Sequence, residues 1–428
     1  MSPTFRSLHN ANYRRYAAGA AVSNTGTWMQ RVAQDWLVLQ LAAGSAIGAG
    51  TAVGITTGLQ FLPALLLSPL AGVVADRFPK RRLLQLTQVL MAVPALLLGL
   101  LAVTGVAEVW HVFVLALLFG VGTALDAPVR QSFVSEIVDP DDLGNAVGLN
   151  SASFNAARIV GPALAGVLIA ALGGGAQATG WVILLNAVSY AGPYLALRSM
   201  NPALLTAAPV SASGKGMVRE GLRYVRGRPD LMLVLAIVFI VGTFGLNFQM
   251  TSALMATEVF DKGATEYGLL GTFMAVGSLT GALLAARRPQ VRLRLVVVAA
   301  VVFGAVEVVA GLLPTYTTFA IWMPLLGLSA LTMITAANTL MQMSTAPALR
   351  GRVMALYLMI FMGGTPLGAP AIGWVGETFG ARWTLVGGGA ITLVGVLGVV
   401  GWYLVARPAV VPPEHAPARR PAVVAASR

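Results

Sequence analysis

The sequence has no cysteine and few charged residues. Of 428 residues, only 10% are charged, whereas 57% are hydrophobic. The absence of cysteine excludes disulfides, thiolate metal sites and cysteine nucleophiles. Soluble domains carry about 25% charged residues, so this chain has too few polar side chains to cover a water-facing surface. With a mean hydropathy of +0.78, the composition excludes a soluble enzyme, a disordered chain and a coiled coil.

The chain instead contains a series of long apolar segments. A membrane helix needs about 20 mostly apolar residues, and windows of that length recur twelve times. The first six spans lie near 16–41, 49–71, 83–105, 109–131, 144–172 and 180–198. The second six lie near 231–256, 265–286, 295–313, 317–341, 353–375 and 383–405. We therefore predict an all-α integral membrane protein with twelve transmembrane helices.

The basic residues predict an orientation. The net charge is +12, from 28 Lys and Arg against 16 Asp and Glu. Of the basic residues, 24 lie in alternate loops and the two tails, whereas the opposite loops contain only Lys262 and Arg382. Because positively charged loops stay in the cytoplasm, we predict a bacterial inner-membrane protein with both termini cytoplasmic. The positive charge then orients the chain in the lipid bilayer, and no nucleic-acid partner is expected.

A central segment divides the chain into two similar halves. It contains Pro202, Pro209 and Gly214, which are typical of a linker, followed by a basic amphipathic piece from Met217 to Arg228. We expect that piece to lie as a helix on the cytoplasmic membrane surface. The predicted units are an N-terminal six-helix half at 1–198, a linker at 199–230, a C-terminal six-helix half at 231–406 and a disordered cytoplasmic tail at 407–428.

The sequence predicts an interrupted helix at corresponding positions of the two halves. Gly161-Pro162 in span five corresponds to Thr365-Pro366 in span eleven. Duplicated six-span halves with such interrupted helices are typical of secondary transporters.

The loop after span two carries a signature. Gly72, Asp76 and Arg77 precede Lys80-Arg81-Arg82 in a pattern that resembles the G-x-x-x-D-R-x-x-[RK]-[RK] loop of the major facilitator superfamily. This resemblance covers nearly the whole chain. It implies the major facilitator fold, with two pseudo-symmetric six-helix halves. It also implies a gate in which Asp126 of span four meets Asp76 and Arg77. Local pairing of Asp126 with Arg130 is the alternative.

Span five gives a second match. Gly148, Ala157, Gly161-Pro162 and Ala165-Gly166 have the spacing of the superfamily's antiporter motif, G-x8-G-x3-GP-x2-GG, with Ala at two glycine positions. Small residues allow close helix contact and proline bends the helix, and a generic kinked span is the alternative. The resemblance implies export rather than uptake.

Two further stretches narrow the resemblance. The segment from Gly26 to Leu39 and the stretch from Asp126 to Gln131 are similar to the efflux branch that contains enterobactin-exporter-like and macrolide-efflux-like proteins, also called transmembrane secretion effectors. One position departs from the superfamily. Drug–proton antiporters often carry an arginine in span four, about four residues before a Gly-x-Gly, and here that residue is Ala116. This departure argues against a proton relay built on that arginine.

Some ionisable residues lie within or near the ends of spans. Charges in lipid are costly and mark function. Asp35 is our candidate for the proton-carrying carboxylate. Arg31 lies four residues before it on the same face, and Arg158 could neutralise it across the cavity. Permanent structural ion pairs are the alternative. For Glu307 we favour a structural role, with the side chain snorkelling to the interface, over proton coupling.

Polar and flexible apolar residues predict the substrate cavity. Asn24, Thr27 and Gln34 share a face with Arg31, so we expect span one to line a wet cavity. Eleven of sixteen methionines lie after residue 230. Methionines and aromatics suit varied apolar molecules, and helix packing in lipid is the alternative. The predicted cavity residues are Asn24, Gln34, Phe244, Asn247, Met250, Asn338, Gln342 and Met359.

These features predict a secondary active exporter of hydrophobic or amphiphilic small molecules. We expect proton antiport by alternating access, with the protein acting as a monomer. A dedicated exporter of a siderophore or other natural product is the alternative, and a lipid-moving or sensory protein is a further class. His9, His111 and His415 fall in loops or tails without a nucleophile–base or metal pattern, so no enzyme activity, cofactor or metal is expected.

Overall fold

The computed structural model describes residues 3–405 except 44, 46, 207–216, 287–290, 347 and 348, and the regular structure in these ranges is helical. The first half contains α1 (Ala11–Ala42), α2 (Ala49–Arg77), α3 (Lys80–Thr104), α4 (Val109–Ile137), α5 (Pro140–Ala171), α6 (Ala176–Ser189) and α7 (Ala191–Ser199). After α8 (Met217–Arg226), the second half contains α9 (Pro229–Ile240), α10 (Phe248–Leu254), α11 (Ala264–Ala286), α12 (Leu293–Leu312), α13 (Tyr316–Ser344), α14 (Arg350–Gly363), α15 (Thr365–Phe379) and α16 (Arg382–Val405).

Eleven helical stretches in the described ranges are long and apolar enough to cross a membrane, and they match predicted spans two to twelve. The remaining long helix, α1, has 32 residues. It is less apolar because it carries Arg31 and Asp35 among several amides and hydroxyls. Since α1 packs against α5, α6 and α7 within the bundle, the predicted all-α membrane fold is confirmed.

Three spans are interrupted. α6 and α7 meet at Tyr190, and α14 and α15 meet at Gly364, where Pro366 lies in the first turn of the new helix. Proline suits that position because it has no N–H to donate. The seventh span contains π-helical turns at Val241–Gly245 and Met255–Val259, with residues 246–247 non-helical between α9 and α10. Such π turns are frequent at functional sites.

Glycines bring the two halves into close contact. α2 packs along α15, and α5 packs along α11. A Cβ added at Gly54 would overlap the carbonyl oxygen of Ala369, and one at Gly268 would overlap that of Pro162. These positions must therefore stay without a side chain for the halves to approach this closely. We call this contact the glycine seam.

The bundle is closed at one end. We name as the basic end the one where α1 begins and α2 ends, and as the opposite end the other. In the described part of the chain, the side-chain hydrogen bonds between the halves lie from the middle to the opposite end: Arg31 to Gln249, Thr51 to Glu377, Thr265 to Gly166, Tyr267 to Asp35 and Thr272 to Ile159. Every ion pair among the described residues stays within one half or its flanking helices. The described hydrogen bonds between the halves therefore close the opposite end. None of them lies at the basic end, which we call unlatched in this sense.

The central segment folds in part as predicted. α8 forms within the predicted amphipathic piece. Its Val225 is buried, and its Glu220 pairs with Arg352 of α14. α8 therefore packs against α14, a contact that the membrane-surface prediction did not include. Residues 207–216 of the predicted linker and the predicted tail at 407–428 lie outside the described residues.

Candidate functional site

A cavity of about 210 Å³ lies between the two halves. α1, α2 and α5 line it from the first half, and residues 246–252, α11, α13 and α15 line it from the second. Its lining is rich in aromatic and methionine side chains, with some amides and two arginines. The residues that carry this character are Trp28, Arg31, Phe61, Arg158, Asn247, Phe248, Gln249, Met250, Met274 and Met323. Among the described lining residues there is no carboxylate, so the cavity is positively charged.

Arg31 is held by aromatic rings and one amide. Its guanidinium carbon lies 4.8 Å from the ring centroid of Trp28 and 5.7 Å from that of Phe61. Its Nη1 donates to Gln249 Oε1 at 3.3 Å, and its Nε has no hydrogen-bond partner among the described residues. Ring faces stabilise a desolvated cation, so Arg31 can keep its charge here with a donor to spare.

Asp35 lies directly behind the cavity wall. Its side chain is buried, and Tyr267 Oη donates to its Oδ2 at 2.8 Å. Tyr267 itself lines the cavity and stacks against Trp36, with ring centroids 6.4 Å apart. Tyr267 therefore connects the cavity lining to the buried carboxylate.

The predicted basic partners of Asp35 are near the same cavity but are not paired with it. Neither Arg31 nor Arg158 forms an ion pair with Asp35 among the residues that the structure describes. Trp28 and Phe61 hold Arg31 at the cavity, and Tyr267 hydrogen-bonds the carboxylate instead. The predicted structural ion pair is thus absent from this state. Arg158 also faces the cavity, and its buried Nη2 has no partner among the described residues.

The prediction of one continuous wet face on α1 is wrong. Of the stripe, only Arg31 lines the cavity. Thr27 hydrogen-bonds the hydroxyl of Tyr190 at 3.0 Å, and Gln34 donates to Gln60 of α2 at 3.1 Å. α1 is surrounded by several helices, so residues three and four apart on it reach different neighbours.

Of the predicted substrate-cavity residues, only Asn247 and Met250 line the cavity. Phe244 packs against the hydrophobic core, as does Met359. Gln342 hydrogen-bonds Asn338 near the basic end of α13, and the remaining two residues, Asn24 and Gln34, belong to α1. The excess of methionine did not separate cavity positions from packing positions, because both favour flexible apolar side chains.

Sequence reasoning missed Tyr267 and Gln249, which contact Asp35 and Arg31 of α1. The signal for both was a hydrogen-bonding group inside an apolar span, since such a group needs a partner. Trp28 and Phe61 carried no such signal, because an aromatic residue in a span is normally packing material.

The predicted gate residues near the basic end show local pairing. Asp126 Oδ2 accepts from Arg130 Nε at 2.7 Å, and its Oδ1 accepts from Thr87 at 2.7 Å and from Gln88 at 2.8 Å. This geometry is that of the local alternative. Arg77 is exposed. The surroundings of Gly72 and the side chain of Asp76 lie outside what the structure describes, so a latch that includes these residues stays a prediction.

Asp126→Ala should destabilise the protein by about 3–5 kcal/mol, because it removes the charge partner of a mostly buried arginine, Arg130. Thermal unfolding of the detergent-solubilised variant, followed by circular dichroism, measures the loss. Arg77→Ala is the control, since that side chain is exposed, and its melting temperature should match the wild type. Equal melting temperatures for both variants would contradict a structural role for the pair.

The motif in α5 acts through two of its glycines. A Cβ added at Gly161 would lie 2.6 Å from the Cβ of Trp28 in α1, and one at Gly166 would lie 2.9 Å from the Cα of Thr265 in α11. Pro162 lines the cavity. At Gly148, by contrast, an added Cβ would have no atom within 4 Å, so the prediction of close packing does not hold there in this state.

The prediction that Glu307 snorkels to the interface is wrong. Its side chain is fully buried, with 0% exposed. α12 packs against α13 and α16, and Gly245 and Gly388 leave the space that the carboxylate occupies. The missing Cβ atoms of these glycines explain why the side chain can stay inside.

Relatives of this chain are known transporters. The profile of the family described as transmembrane secretion effector matches residues 2–421. The chain is 30% identical over 402 residues to multidrug efflux pump Tap of Mycolicibacterium fortuitum, covering 90% of this chain and 93% of that protein. It is 21% identical to macrolide efflux protein A of Streptococcus pyogenes, with 82% and 87% covered. It is 25% identical to staphyloferrin A transporter of Staphylococcus aureus, with 60% and 62% covered.

Solved structures share the fold. A crystal structure of D-xylose-proton symporter has a TM-score of 0.70 at 12% identity, covering 92% of this chain and 97% of that one. A bacterial homologue of iron transporter ferroportin in the inward-facing state also has a TM-score of 0.70, at 16% identity, covering 92% and 98%. At these identities the likeness shows the fold alone, and it confirms the predicted architecture.

Proposed function

Since the chain belongs to the transmembrane secretion effector family of the major facilitator superfamily, a family of small-molecule transporters, we propose that it exports hydrophobic or amphiphilic small molecules by proton antiport. The observation that carries the proposal is the arrangement around Tyr267. This residue lines the cavity between the halves and hydrogen-bonds the buried Asp35. The substrate site and a carboxylate therefore share one hydroxyl.

The lining of the cavity supports this substrate class. Aromatic rings and methionines offer large, adaptable apolar contact, and the amides of Asn247 and Gln249 add a few polar contacts. The volume of about 210 Å³ is below the roughly 300–1,000 Å³ of sites for drug-sized ligands. A molecule of that size needs the halves to separate further, which the unlatched basic end allows.

Coupling would use the shared hydroxyl. A substrate that contacts Tyr267 competes with Asp35 for its hydrogen bond, so a loaded cavity changes how well the carboxylate is stabilised. With the opposite end closed, Asp35 exchanges protons only through the cavity. Arg31 stabilises the ionised form from the cavity side. Proton binding and substrate binding then favour different states of one carrier, as antiport requires.

We place the protein in a bacterial inner membrane with both termini cytoplasmic. The basic end would then face the cytoplasm, as positively charged loops do, and the state described here would be open to the cytoplasm. In that orientation the unlatched end receives substrate from inside the cell, which suits an exporter. We also propose that the two six-helix halves move as units about the 199–230 linker, and that the carrier acts as a monomer.

A second candidate is a dedicated exporter of an anionic natural product such as a siderophore. Arg31 and Arg158 give the cavity a positive charge that no described lining residue balances. Guanidinium groups bind carboxylates with high specificity. One relative carries the name staphyloferrin A transporter. A narrow preference for anionic substrates over neutral and cationic ones would favour this candidate.

Transport by the purified protein in liposomes tests both candidate functions. We expect substrate uptake when the interior is more acidic than the medium, because proteins inserted inside-out would exchange internal protons for external substrate. A panel of cationic dyes, neutral macrolides and anionic siderophores identifies the class, with protein-free liposomes as the control. Uptake that persists unchanged after an ionophore collapses the pH gradient would contradict proton coupling.

A further inference from the structure

A second carboxylate is buried far from the surface in the other half. Glu307 is 0% exposed, and neither of its carboxylate oxygens has a hydrogen-bond partner among the described residues. An ionised carboxylate in such surroundings requires a counter-charge or several donors. Two buried carboxylate oxygens without hydrogen bonds cost desolvation free energy. The site therefore needs a bound species that satisfies them.

The surroundings of Glu307 offer acceptors rather than donors. A Cβ added at Gly388 of α16 would lie 2.6 Å from the backbone oxygen of Phe244 and 3.3 Å from Glu307 Oε1, so these two oxygens face the same small space. The hydroxyl of Thr392, one turn further along α16, does carry a donor, but it is buried without a partner among the described residues and makes no hydrogen bond to Glu307. A carboxylate beside a carbonyl oxygen is repulsive, whereas a neutral carboxylic acid has one O–H to donate.

Among the residues that the structure describes, no charged group pairs with Glu307 to stabilise its ionised form. The titratable groups on the elements packed against α12 are Asp230 in α9, Tyr316 in α13, and Arg382 and Tyr403 in α16. None of them hydrogen-bonds Glu307. Arg382, the one cation at the opposite end of these elements, donates instead to the backbone oxygens of α12's last turn and the residue after it.

We propose that Glu307 is a second proton-binding site, separate from Asp35, and that in the state described here it holds a proton and donates it in a hydrogen bond to the backbone oxygen of Phe244. The occupant is a proton. Protonation neutralises the carboxylate, so no donors from the protein are needed. It also requires no space beyond that of the side chain. The site lies entirely within the second half.

The site connects to the cavity through the interrupted seventh span. Gly245 ends the π-helical turn, and a Cβ added there would lie 3.1 Å from Glu307 Oε2. The next two residues, Leu246 and Asn247, are non-helical and line the cavity. Loss of the proton from Glu307 breaks the bond to Phe244 and moves this segment, so the charge of Glu307 changes the cavity wall without contact with the substrate. This effect on the cavity wall rests on the proposed transport function, whereas proton binding by Glu307 does not.

Infrared difference spectroscopy of the reconstituted protein tests proton binding without any substrate. Raising the pH should remove a C=O stretching band of a protonated carboxylic acid. That band should be absent in Glu307→Gln and should persist in Asp35→Asn. Glu108→Gln, which changes an exposed glutamate, is the matched control and should keep the band. The infrared result does not depend on transport in the liposome assay. Proton binding by Glu307 and the proposed export function can therefore be contradicted independently.

Glu307→Gln should fold, because its amide can donate to the backbone oxygen of Phe244 as the acid does. If it does not, Glu307→Asp provides the same test, since a shorter acid shifts the band instead of removing it. A band that is unchanged in both variants would overturn the proposal. So would a carboxylate signal at constant pH that responds to sodium or potassium, because the occupant would then be a metal cation.

Discussion

Asp35→Asn should reduce pH-driven transport in proteoliposomes to the level of protein-free liposomes, while the protein remains folded. The amide oxygen of asparagine can still accept the hydrogen bond from Tyr267 Oη, which spans 2.8 Å in the wild type. The amide cannot bind and release a proton, so the coupling is lost although the packing is kept. Transport with and without an imposed pH gradient measures the effect, and circular dichroism reports the fold.

A matched control separates coupling from a general effect of charge removal. Asp139→Asn makes the same chemical change at an exposed position before α5, where the side chain forms no capping hydrogen bond. That variant should transport at the wild-type rate. Asp35→Asn should still exchange labelled for unlabelled substrate when no gradient is imposed, since exchange requires no net proton movement. Wild-type gradient-driven transport by Asp35→Asn would refute the assignment of this carboxylate.

Gly268→Ala should open the opposite end. The added methyl group would overlap the backbone oxygen of Pro162 in the glycine seam, and overpacking of this kind costs about 1–3 kcal/mol. A penalty of about 2 kcal/mol on the closed state shifts the equilibrium by roughly thirtyfold. The variant should therefore spend far more time with the halves apart at this end, and net transport should fall.

The natural absence of cysteine makes this measurable. A single Ala49→Cys substitution at the start of α2, which leaves the Thr51–Glu377 contact in place, can be labelled with a membrane-impermeant maleimide in wild-type and Gly268→Ala backgrounds, without removing other thiols. We expect faster labelling in the Gly268→Ala background. Gly148→Ala is the control, because a methyl group there meets no atom within 4 Å, and it should leave the labelling rate unchanged. Equal rates in all three would show that the seam does not hold the opposite end closed.

The fold was largely predictable, because length and hydropathy are properties of contiguous segments. Eleven apolar spans could be recognised from composition alone, and α1 could be recognised by its length and by the spans that follow. The interruption at Pro366 was also predicted, and there proline begins a new helix. The matching interruption predicted at Gly161-Pro162 is wrong, because α5 runs unbroken from Pro140 to Ala171 with Pro162 inside it. The π-helical turns of the seventh span were not predictable, because Val241–Gly245 has no proline and its glycines also occur in regular helices.

The site was predictable only in its charged residues. Charged residues are rare in membrane spans, so Arg31, Asp35 and Arg158 could be recognised as candidate functional residues. The structure places all three at or next to the cavity between the halves. Their pairing was not predictable, because it depends on Tyr267, which lies 232 positions from Asp35 in the chain. Glu307 shows the same limit, since only the packing of Gly245 and Gly388 decides that its side chain stays inside.

The glycine seam has a consequence for how the carrier responds to its medium. It closes through backbone shape and through hydroxyl donors, from Thr51 to Glu377, from Thr265 to the Gly166 carbonyl oxygen and from Thr272 to the Ile159 carbonyl oxygen. The described ion pairs lie elsewhere and do not cross it. Dissolved salt screens exposed charges but does not alter steric fit. We therefore expect closure at this end to be insensitive to the ionic strength of the medium that it faces.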